Sequence, residues 1–344
     1  MRVHPGLMFA TLMTTSLIAA ASTSVSPLRA EPSVEGFYAG KTITILIGFP
    51  AGGTYDIYAR LAAANLGRFI PGHPTIQVQS KPGGSGVGAV GYFSANAPKD
   101  GTMLGLFPET LAIAQLTEPQ LSKWNVLDFT YIGSFANSNG VFVVRKDAPA
   151  LTVDQMRATP VHVGCNGHTG ASYINPTLLK AYAGFKFEIH CGYPGSSEIA
   201  IALTRGEIDV TAGAWNAWRS KSQLLDGAVR PFIQVGLKRH KEMLEVPLMQ
   251  ELITARKQAE VAEFLSAGSP IGRALLLSRM VPPERVAALR EAFMAMTADP
   301  KFVHDTEQSG LELDALPGEE LDRISTKIMQ TPRDVVALAA AVGK

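Results

Sequence analysis

Residues 42–56 read Thr42-Ile-Thr-Ile-Leu-Ile-Gly-Phe-Pro-Ala-Gly-Gly-Thr-Tyr-Asp56. The first six residues are apolar or β-branched, which is typical of a buried strand. A glycine-rich turn follows, and the apolar spacing from Ile57 to Leu66 predicts a helix. A buried strand, a short loop and a helix make up the first part of a β-α-β unit, so this segment predicts an α/β fold.

The same alternation of short apolar runs and helical patterns recurs along the chain. We predict strands at residues 42–47, 75–79, 102–107, 141–144, 161–165, 187–191, 208–211 and 232–235. We predict helices at residues 57–66, 87–95, 171–182 and 198–205. From Val261 to the end the pattern is almost entirely helical, with prolines placed at three helix starts. These patterns predict two α/β units of parallel strands, followed by a helical C-terminal segment.

The loops that lead from strands into helices are the expected place for a ligand in an open α/β sheet. In the first loop, Gly52 and Gly53 allow the backbone to approach a ligand closely, and Thr54 is positioned to cap the helix. The first-turn amides of such a helix favour a carboxylate or a phosphate. Asp56 has two open interpretations, which are contact with the ligand and capping of the helix.

The loop after the second strand is Lys81-Pro-Gly-Gly-Ser-Gly86. Residues 86–91 match the G-x-G-x-x-G pattern of dinucleotide sites. The match follows the second strand of the unit, and Pro82 precedes the turn, so we interpret the segment as a second amide-rich loop. Two further loops rich in glycine and hydroxyl residues, at 164–170 and 192–197, follow strands of the second unit. The four loops predict a cleft lined from both sides by amides and hydroxyls.

The composition excludes several classes of protein. The 344 residues are 46% hydrophobic and 18% charged, which is too apolar for a disordered chain. The 31 basic and 30 acidic residues give a formal net charge of +1, without the positive excess typical of nucleic-acid binding. The sequence contains neither G-x-S-x-G nor H-E-x-x-H, two common enzyme signatures. We therefore expect small-molecule or protein partners, no nucleic acid and no catalysis.

The N-terminus has the regional order of a secretory signal peptide. Arg2 precedes an uncharged run from Leu7 to Ala21, and the small residue Ala30 follows. The run is about fifteen residues long, whereas a transmembrane helix needs roughly 20, so we favour export with cleavage near Ala30 over a membrane anchor. Removing residues 1–30 leaves 314 residues with a formal charge of −1. At roughly 150 residues per domain, this length predicts two domains.

Two cysteines, Cys165 and Cys191, end neighbouring predicted strands. Adjacent strands lie about 4.8 Å apart, within reach of a disulfide, and exported proteins meet oxidising conditions. The alternatives are two buried free thiols, or a zinc site with His168 and His190. Because His190 and Cys191 point to opposite faces of one strand, they cannot readily bind one ion, and we disfavour a metal. Three other histidines are expected to be solvated: His73, His240 and His304.

Three motifs in order resemble the Bug family, the extracytoplasmic solute receptors of tripartite tricarboxylate transporters. The motifs are residues 49–60, Lys81-Pro-Gly-Gly-Ser-Gly86 and Ala97-Pro-Lys-Asp-Gly-Thr102, and the resemblance continues to Pro282-Pro283. It implies a two-lobed periplasmic binding protein of type II, a Venus flytrap, in which amides and hydroxyls hold a small carboxylate between hinged lobes. It also implies membrane permease subunits as partners.

The resemblance places ligand-binding residues in loops of both lobes. In the first lobe these are Phe49, Ala51, Gly52, Gly53, Thr54, Asp56, Gly84 and Ser85. In the second lobe these are Gly164, Asn166, Thr169, Tyr193 and Gly195. The sequence departs from the family pattern at Gly164-Cys-Asn166 and at Ala214-Trp-Asn-Ala-Trp218, so the ligand of other members cannot be transferred. Trp215, Asn216 and Trp218 either line a pocket for an aromatic or larger apolar acid, or the tryptophans pack in the core or hinge.

We expect residues 31–138 and 266–344 to form lobe 1 and residues 139–265 to form lobe 2, since hinged receptors of this kind cross between lobes twice. The expected function is capture of a small organic carboxylate, aromatic or dicarboxylic, by a monomeric periplasmic receptor that needs no cofactor. The receptor would deliver this ligand to the permease of a tripartite tricarboxylate-type transporter. The alternatives are a periplasmic sensory module and, third, an exported enzyme.

Overall fold

The computed structural model describes residues 1–2, 32–83, 86–167, 170–193, 196–219 and 227–342. The chain divides into two compact units, Met1–Pro32 and Ser33–Lys344, and the second contains the helices and strands described below. Among the described residues, no helix combines the length and the apolar character needed to cross a membrane. Residues 3–31, which include most of the predicted signal peptide and Ala30, lie outside the described part of the chain.

The described strands form two sheets. They are β1 (Thr42–Ile47), β2 (Thr75–Ser80), β3 (Met103–Leu106), β4 (Phe129–Ser134), β5 (Gly140–Arg145), β6 (Val161–Cys165), β7 (Phe187–Cys191), β8 (Val210–Ala214), β9 (Val229–Val235), β10 (Ala274–Ser278) and β11 (Leu316–Pro317). The first sheet has the order β11-β4-β10-β3-β1-β2, and the second has the order β7-β6-β8-β5-β9. The strands β1, β2 and β3 are parallel, as are β6, β7 and β8, while β10 and β5 run antiparallel to their neighbours.

The described helices follow most of the parallel strands and make up much of the C-terminal third. They are α1 (Val34–Tyr38), α2 (Thr54–Asn65), α3 (Val87–Asn96), α4 (Leu111–Thr117), α5 (Val153–Ala158), α6 (Ala171–Ala183), α7 (Ser196–Arg205), α8 (Trp215–Arg219), α9 (Arg256–Ser266), α10 (Pro283–Ala298), α11 (Pro300–Gln308), α12 (Gly318–Met329) and α13 (Arg333–Val342). Local sequence explains several ends. Thr152 and Gln155 form a capping box at α5, and Asp299 accepts the Phe302 amide where α11 begins with proline.

Each sheet buries its apolar residues against helices. Alternation along β1 places Ile43, Ile45 and Ile47 in one apolar cluster with Tyr58 of α2, and all four side chains are fully buried. Leu46 points to the opposite face and belongs to a second cluster. Burial of each such side chain contributes roughly 1.5–3 kcal/mol, so β1 is anchored from both faces and holds the loop that follows it.

The segment between β4 and β5, residues 135–139, joins the two sheets at the edges where the strand-to-helix loops begin. The register pairs Ala274 with Ser134 in the first sheet, so β10 begins where β4 ends. In the second sheet Gly140 pairs with both Ala214 and Val235, so β5 begins where β8 and β9 end. A second segment, residues 236–273, returns from the end of β9 to the start of β10. Both segments therefore connect the same two edges.

The two connecting segments are hydrogen-bonded to each other. The Phe135 amide donates to the Arg273 carbonyl at 2.9 Å, and the Ser138 amide donates to the Ser269 carbonyl at 2.8 Å. We call residues 135–139 and 268–273 the crossing segments. The loops after β1, β2, β3, β6, β7 and β8 open on the edges that these segments join. The assignment of residues 31–138 and 266–344 to one lobe, and 139–265 to the other, remains a prediction.

The two-lobed α/β class is confirmed, but two details of the predicted fold are wrong. The segment after Val261 is not almost entirely helical, because β10 lies within it and pairs with β3 on one side and β4 on the other. Its sequence Ala274-Leu-Leu-Leu-Ser278 lacks β-branched residues, so only its position between two strands makes it a strand. The sheets are also mixed instead of wholly parallel, because β5 and β10, which follow the crossing segments, run antiparallel to their neighbours.

Candidate functional site

The loop after β1 is held in shape by hydrogen bonds to its own helix. The Gly52 amide and Arg60 Nε both donate to Asp56 Oδ2, each at 2.9 Å. Burial acts to raise the pKa of Asp56, but the hydrogen bonds from Arg60 and Gly52 outweigh it and hold this pKa below its ordinary value. The φ of Gly52 is +86°, which glycine adopts without steric cost. Asp56 therefore supports the helix start as a charged carboxylate, while its Oδ1 is buried without a hydrogen-bond partner.

The start of α2 leaves backbone donors at the edge of the first sheet. Gly53 is the N-cap and has no side-chain cap bond, so Thr54 is the first helical residue and not the cap that the sequence predicts. The first intrahelical bond joins the Ile57 amide to the Gly53 carbonyl at 3.0 Å. The backbone amides before Ile57, such as that of Tyr55, have no partner within the helix. They form the positive end of the helix dipole. Ala51, Gly52 and Gly53 are exposed beside them.

An arginine from the second crossing segment holds this loop. The Arg273 guanidinium stacks on the Tyr55 ring, 4.2 Å from its centroid, and Tyr55 stacks on Phe49 with ring centroids 4.1 Å apart. Arg273 Nη1 lies 2.9 Å from Glu109 Oε2 and 3.0 Å from Ser138 Oγ. Only 4% of Arg273 is exposed. One buried cation thus joins the loops after β1 and β3 to both crossing segments.

The electrostatics of this cluster favour one charge pair. Burial raises the pKa of Tyr55 well above its ordinary value, so the phenol stays protonated and donates to Glu109 Oε2 at 2.8 Å. Burial acts to lower the pKa of Arg273, but the Glu109 carboxylate helps to raise the pKa of the guanidinium above its ordinary value. The Ser138 hydroxyl donates to Glu109 Oε1 at 3.1 Å. The cluster is therefore an ion pair whose carboxylate has partners on both oxygens.

The loops after β1 and β2 meet backbone to backbone. A Cβ on Gly48 would lie 2.6 Å from the Gly86 Cα, closer than real atoms approach. Gly86 itself lies against Phe49 and against Pro108 of the loop after β3. The structure thus brings three loops of the first sheet together. The predicted residues Gly84 and Ser85 lie outside the described residues.

In the second sheet, the loops after β6 and β7 are also bonded to each other. Asn166 Nδ2 donates to the Tyr193 carbonyl at 3.3 Å, and the Asn166 amide donates to Ser172 Oγ at 3.3 Å in the first turn of α6. A Cβ on Gly164 would lie 3.5 Å from the Tyr193 ring and within overlap distance of Ile208. The predicted residues Gly164, Asn166 and Tyr193 therefore lie together. Thr169 and Gly195 lie outside the described residues, as does His168.

Trp215 and Asn216 begin α8 at the end of β8 but have different surroundings. Trp215 and Trp218 are buried in an apolar cluster with Val141 and Val143, and Trp215 Nε1 donates to Glu242 at 3.1 Å. Both polar atoms of the Asn216 side chain are buried without a hydrogen-bond partner. An unpaired buried amide is costly. The tryptophan positions thus favour packing, whereas Asn216 presents an unused donor and an unused acceptor.

A buried histidine connects the loop after β9 to the C-terminal segment. His240 Nε2 lies 2.8 Å from Glu312 Oε1, and both residues are 6% exposed. Burial acts to raise the pKa of Glu312, but His240 together with the charges of Lys241 and Arg219 outweighs it and holds this pKa below its ordinary value. The expectation that His240 is solvated is wrong. The sequence around this loop histidine does not reveal a carboxylate partner that lies 72 residues further along the chain. His73 and His304 are exposed, as expected.

Cys165 and Cys191 lie directly opposite each other at the ends of β6 and β7. Their Cα atoms are 4.5 Å apart, and the two sulfurs are joined as a disulfide. The bridge ties together the strand ends that precede the loops of Asn166 and Tyr193. The zinc alternative for these cysteines does not fit, because both sulfurs are used in the bridge. The oxidation state of the purified protein remains a prediction.

Sequence reasoning missed Glu109, Ser138 and Arg273. Their motifs are not distinctive, and a charged residue before an apolar run is common. The available signal was that Gly272-Arg273 precedes Ala274-Leu-Leu-Leu-Ser278, a run that reads equally as a buried strand. A strand there would have placed Arg273 at the edge of the first sheet where the strand-to-helix loops begin.

Comparison with known proteins gives the family. The family model described as "Tripartite tricarboxylate transporter family receptor" (TctC) matches residues 58–332. A TctC solute-binding protein from Polaromonas, solved without ligand, is similar with a TM-score of 0.67 and 19% identity, covering 88% of this chain and 99% of that one.

Two structures from Rhodopseudomonas palustris are also similar. One, solved with adipate, has a TM-score of 0.64 and 21% identity, covering 88% of this chain and 97% of that one. The other, MatC with bound malate, has a TM-score of 0.63 and 20% identity, covering 86% and 99%. These structures support the fold, and the family match confirms the resemblance seen in the sequence. The chain therefore belongs to the tripartite tricarboxylate transporter receptor family, whose members are solute-binding proteins and not enzymes.

Proposed function

We propose that this receptor captures a small dicarboxylate between its two lobes. The observation that carries the proposal is the placement of helix starts. The helices α2 and α3 begin at the strand ends of the first sheet, and α6, α7 and α8 begin at those of the second. The crossing segments join these two edges. We infer that the positive ends of these helices face one region from both sides, which would favour an anion.

Two groups of helix starts suit a ligand with two anionic ends. One carboxylate would accept hydrogen bonds from the first-turn amides of α2, and the other from those of α6. Hydrogen bonds to a charged partner contribute about 1.5–3 kcal/mol each. Similar proteins solved with adipate and with malate, both dicarboxylates, support this class of ligand. The buried tryptophans give no support to an aromatic acid.

Asn216 is the side chain that we assign to ligand contact on the second lobe. Its donor and acceptor are both unpaired and buried, and it lies in the first turn of α8. A carboxylate or hydroxyl of the ligand would satisfy this amide. Burial of an unpaired amide in a well-packed protein is otherwise difficult to explain.

Thermal-shift screening of the purified protein tests the ligand class. We expect succinate, malate and adipate to raise the melting temperature, because a ligand at 100 times its dissociation constant adds about 2.7 kcal/mol. The matched controls are adipamide, which keeps the length of adipate without its charges, and hexanoate, which keeps one carboxylate. A shift with adipamide as large as with adipate would contradict the proposal. So would the absence of any shift with all three diacids.

We further propose that the protein acts in the periplasm and delivers its ligand to a membrane permease of the tripartite type. The signal-peptide pattern of residues 1–30 supports export, and the family description supports the transporter partner. Mass spectrometry of the protein from a periplasmic extract should find an N-terminus near Glu31. Recovery only of the full-length chain in the cytoplasm would contradict this part of the proposal.

A further inference from the structure

The strands β6 and β7 carry a cluster of three side chains that the ligand site does not use. These are His162, Glu188 and His190, and all three are exposed. They lie outside the loops that open on the joined edges, because His162 and Glu188 are near the starts of their strands. β7 is one of the two edge strands of the second sheet, as described. We propose that these residues form a binding site for a first-row divalent transition-metal ion, with Zn²⁺ as the first candidate.

The backbone places the three residues on one face. The parallel register pairs His162 with Glu188 and Gly164 with His190. Because side chains alternate along a strand, Glu188 and His190 point the same way, and the register brings His162 to that side. The alternate residues Val161 and Phe187 are buried in the core cluster. The cluster therefore follows from the pairing of β6 with β7.

The ligand atoms lie at distances that suit one small ion. His162 Nδ1 is 3.0 Å from His190 Nε2 and 3.4 Å from Glu188 Oε2. One atom from each residue lies within 4.8 Å of the other two. Bonds of about 2.0–2.1 Å to a tetrahedral zinc place its ligand atoms roughly 3.4 Å apart. Small rotations of exposed side chains would therefore complete the coordination.

The chemistry of the donors identifies the class of ion. Two imidazoles and one carboxylate suit Zn²⁺, Ni²⁺, Cu²⁺ and Co²⁺, whereas Mg²⁺ and Ca²⁺ prefer oxygen ligands alone. Three protein ligands leave a fourth position for water or for a group from another molecule. The Cys165–Cys191 pairing lies one residue beyond His190. It ties the two strands in this register, so the backbone positions of the three residues are set before the ion binds.

Equilibrium dialysis of tag-free protein against Zn²⁺ in chelator-free buffer tests the site. We expect the wild type to bind one equivalent more than His162→Gln, and Glu188→Gln to weaken this binding at least tenfold. His304→Gln is the matched control, because His304 is an exposed histidine on α11, far along the chain. All variants should melt at the wild-type temperature in EDTA, because the altered side chains are exposed.

Cobalt gives an independent readout. Co²⁺ bound by these residues should show visible absorption bands of a low-coordinate site, and His190→Gln should lose them while His304→Gln keeps them. The proposal is overturned if the wild type binds no Zn²⁺, or if His162→Gln and His190→Gln bind as the wild type does. It is also overturned if His304→Gln loses as much binding as His162→Gln.

Discussion

Arg273 Nη1 lies 2.9 Å from Glu109 Oε2, which joins the second crossing segment to the loop after β3. The same nitrogen lies 3.0 Å from Ser138 Oγ in the first crossing segment. The pair therefore sits where the crossing segments join the two sheets, and beside the loop that begins α2. One buried cation contacts both the crossing segments and the loop before α2, so a change at Arg273 should affect both stability and ligand binding.

Replacing Arg273 with methionine should be strongly destabilising. The change leaves Glu109 without its cation, and breaking a buried pair in this way costs about 3–5 kcal/mol. Urea denaturation of wild type and Arg273→Met measures the loss. Lys301→Met is the control, since the Lys301–Asp305 pair is on the surface and Lys301 is 61% exposed, so its loss should have little effect. If both substitutions lower the free energy of unfolding by the same small amount, the Arg273–Glu109 pair does not stabilise the connection between the sheets.

The contribution of Glu312 to stability should depend on pH. Its pKa is lowered in the folded protein, so its stabilising effect is fully present above the ordinary Glu pKa of about 4.3 and is lost as the pH falls through the folded value. The difference in unfolding free energy between wild type and Glu312→Gln should therefore be largest near neutral pH and shrink on acidification.

Chemical denaturation at several pH values from about 7 to about 3 measures this dependence. Glu307→Gln, at an exposed position on α11, serves as the control and should show no comparable change. A difference for Glu312→Gln that stays constant across this range would argue against the His240–Glu312 interaction.

Replacing either of two glycines in the same loop with alanine should have different effects on stability. A Cβ on Gly48 would meet the Gly86 backbone at 2.6 Å, whereas the nearest atom to a Cβ on Gly53 is 4.0 Å away. Gly48→Ala must push apart the loops after β1 and β2, so it should lower both the melting temperature and ligand affinity. Gly53→Ala should fold normally, with at most a small loss at the N-cap. Differential scanning calorimetry without ligand compares the two variants, and equal melting temperatures would count against the contact between the loops.

Asn216→Leu should separate ligand binding from folding. Removing an unpaired buried amide is neutral or stabilising, so the melting temperature without ligand should stay the same or rise. The ligand-induced shift should fall sharply, because the amide is assigned to ligand contact. Asn96→Leu, at an exposed position near the end of α3, should keep the full shift. A wild-type shift for Asn216→Leu would remove Asn216 from the site.

The two cysteines should be unreactive until reduced. Thiol titration of the denatured, unreduced protein should find no free thiol, and reduction should release two. Replacing both cysteines with serine should cost about 3 kcal/mol, because the bridge closes a loop whose ends are 26 residues apart. Two reactive thiols before reduction would show that the bridge does not form.

The features that the sequence predicted well are those fixed by local pattern. β1, β6 and β7 have the predicted ends, because a run of apolar and β-branched residues between turn signals specifies a strand with little help from elsewhere. The loops of Gly52 and Asn166 follow these strands, so their position at the sheet edges was predictable as well. The family motifs lie in the same segments.

The features that were missed depend on partners far apart in the chain. Arg273 and Glu109 are 164 residues apart, and His240 and Glu312 are 72 apart, so no local pattern relates them. The strand β10 was missed for a similar reason, since its leucines become a strand only between β3 and β4. The pairing of His162 with His190 required the register of β6 and β7, which the sequence leaves open.

Hydrogen exchange with and without saturating diacid tests capture between the lobes most directly. We expect amides in the first turns of α2 and of α6, which follow strands of different sheets, to become protected together when adipate or malate binds. Amides of α11 serve as the internal control and should be unaffected. Protection confined to one sheet, or none at either helix start under saturating ligand, would show that the ligand is not held between the two sheets.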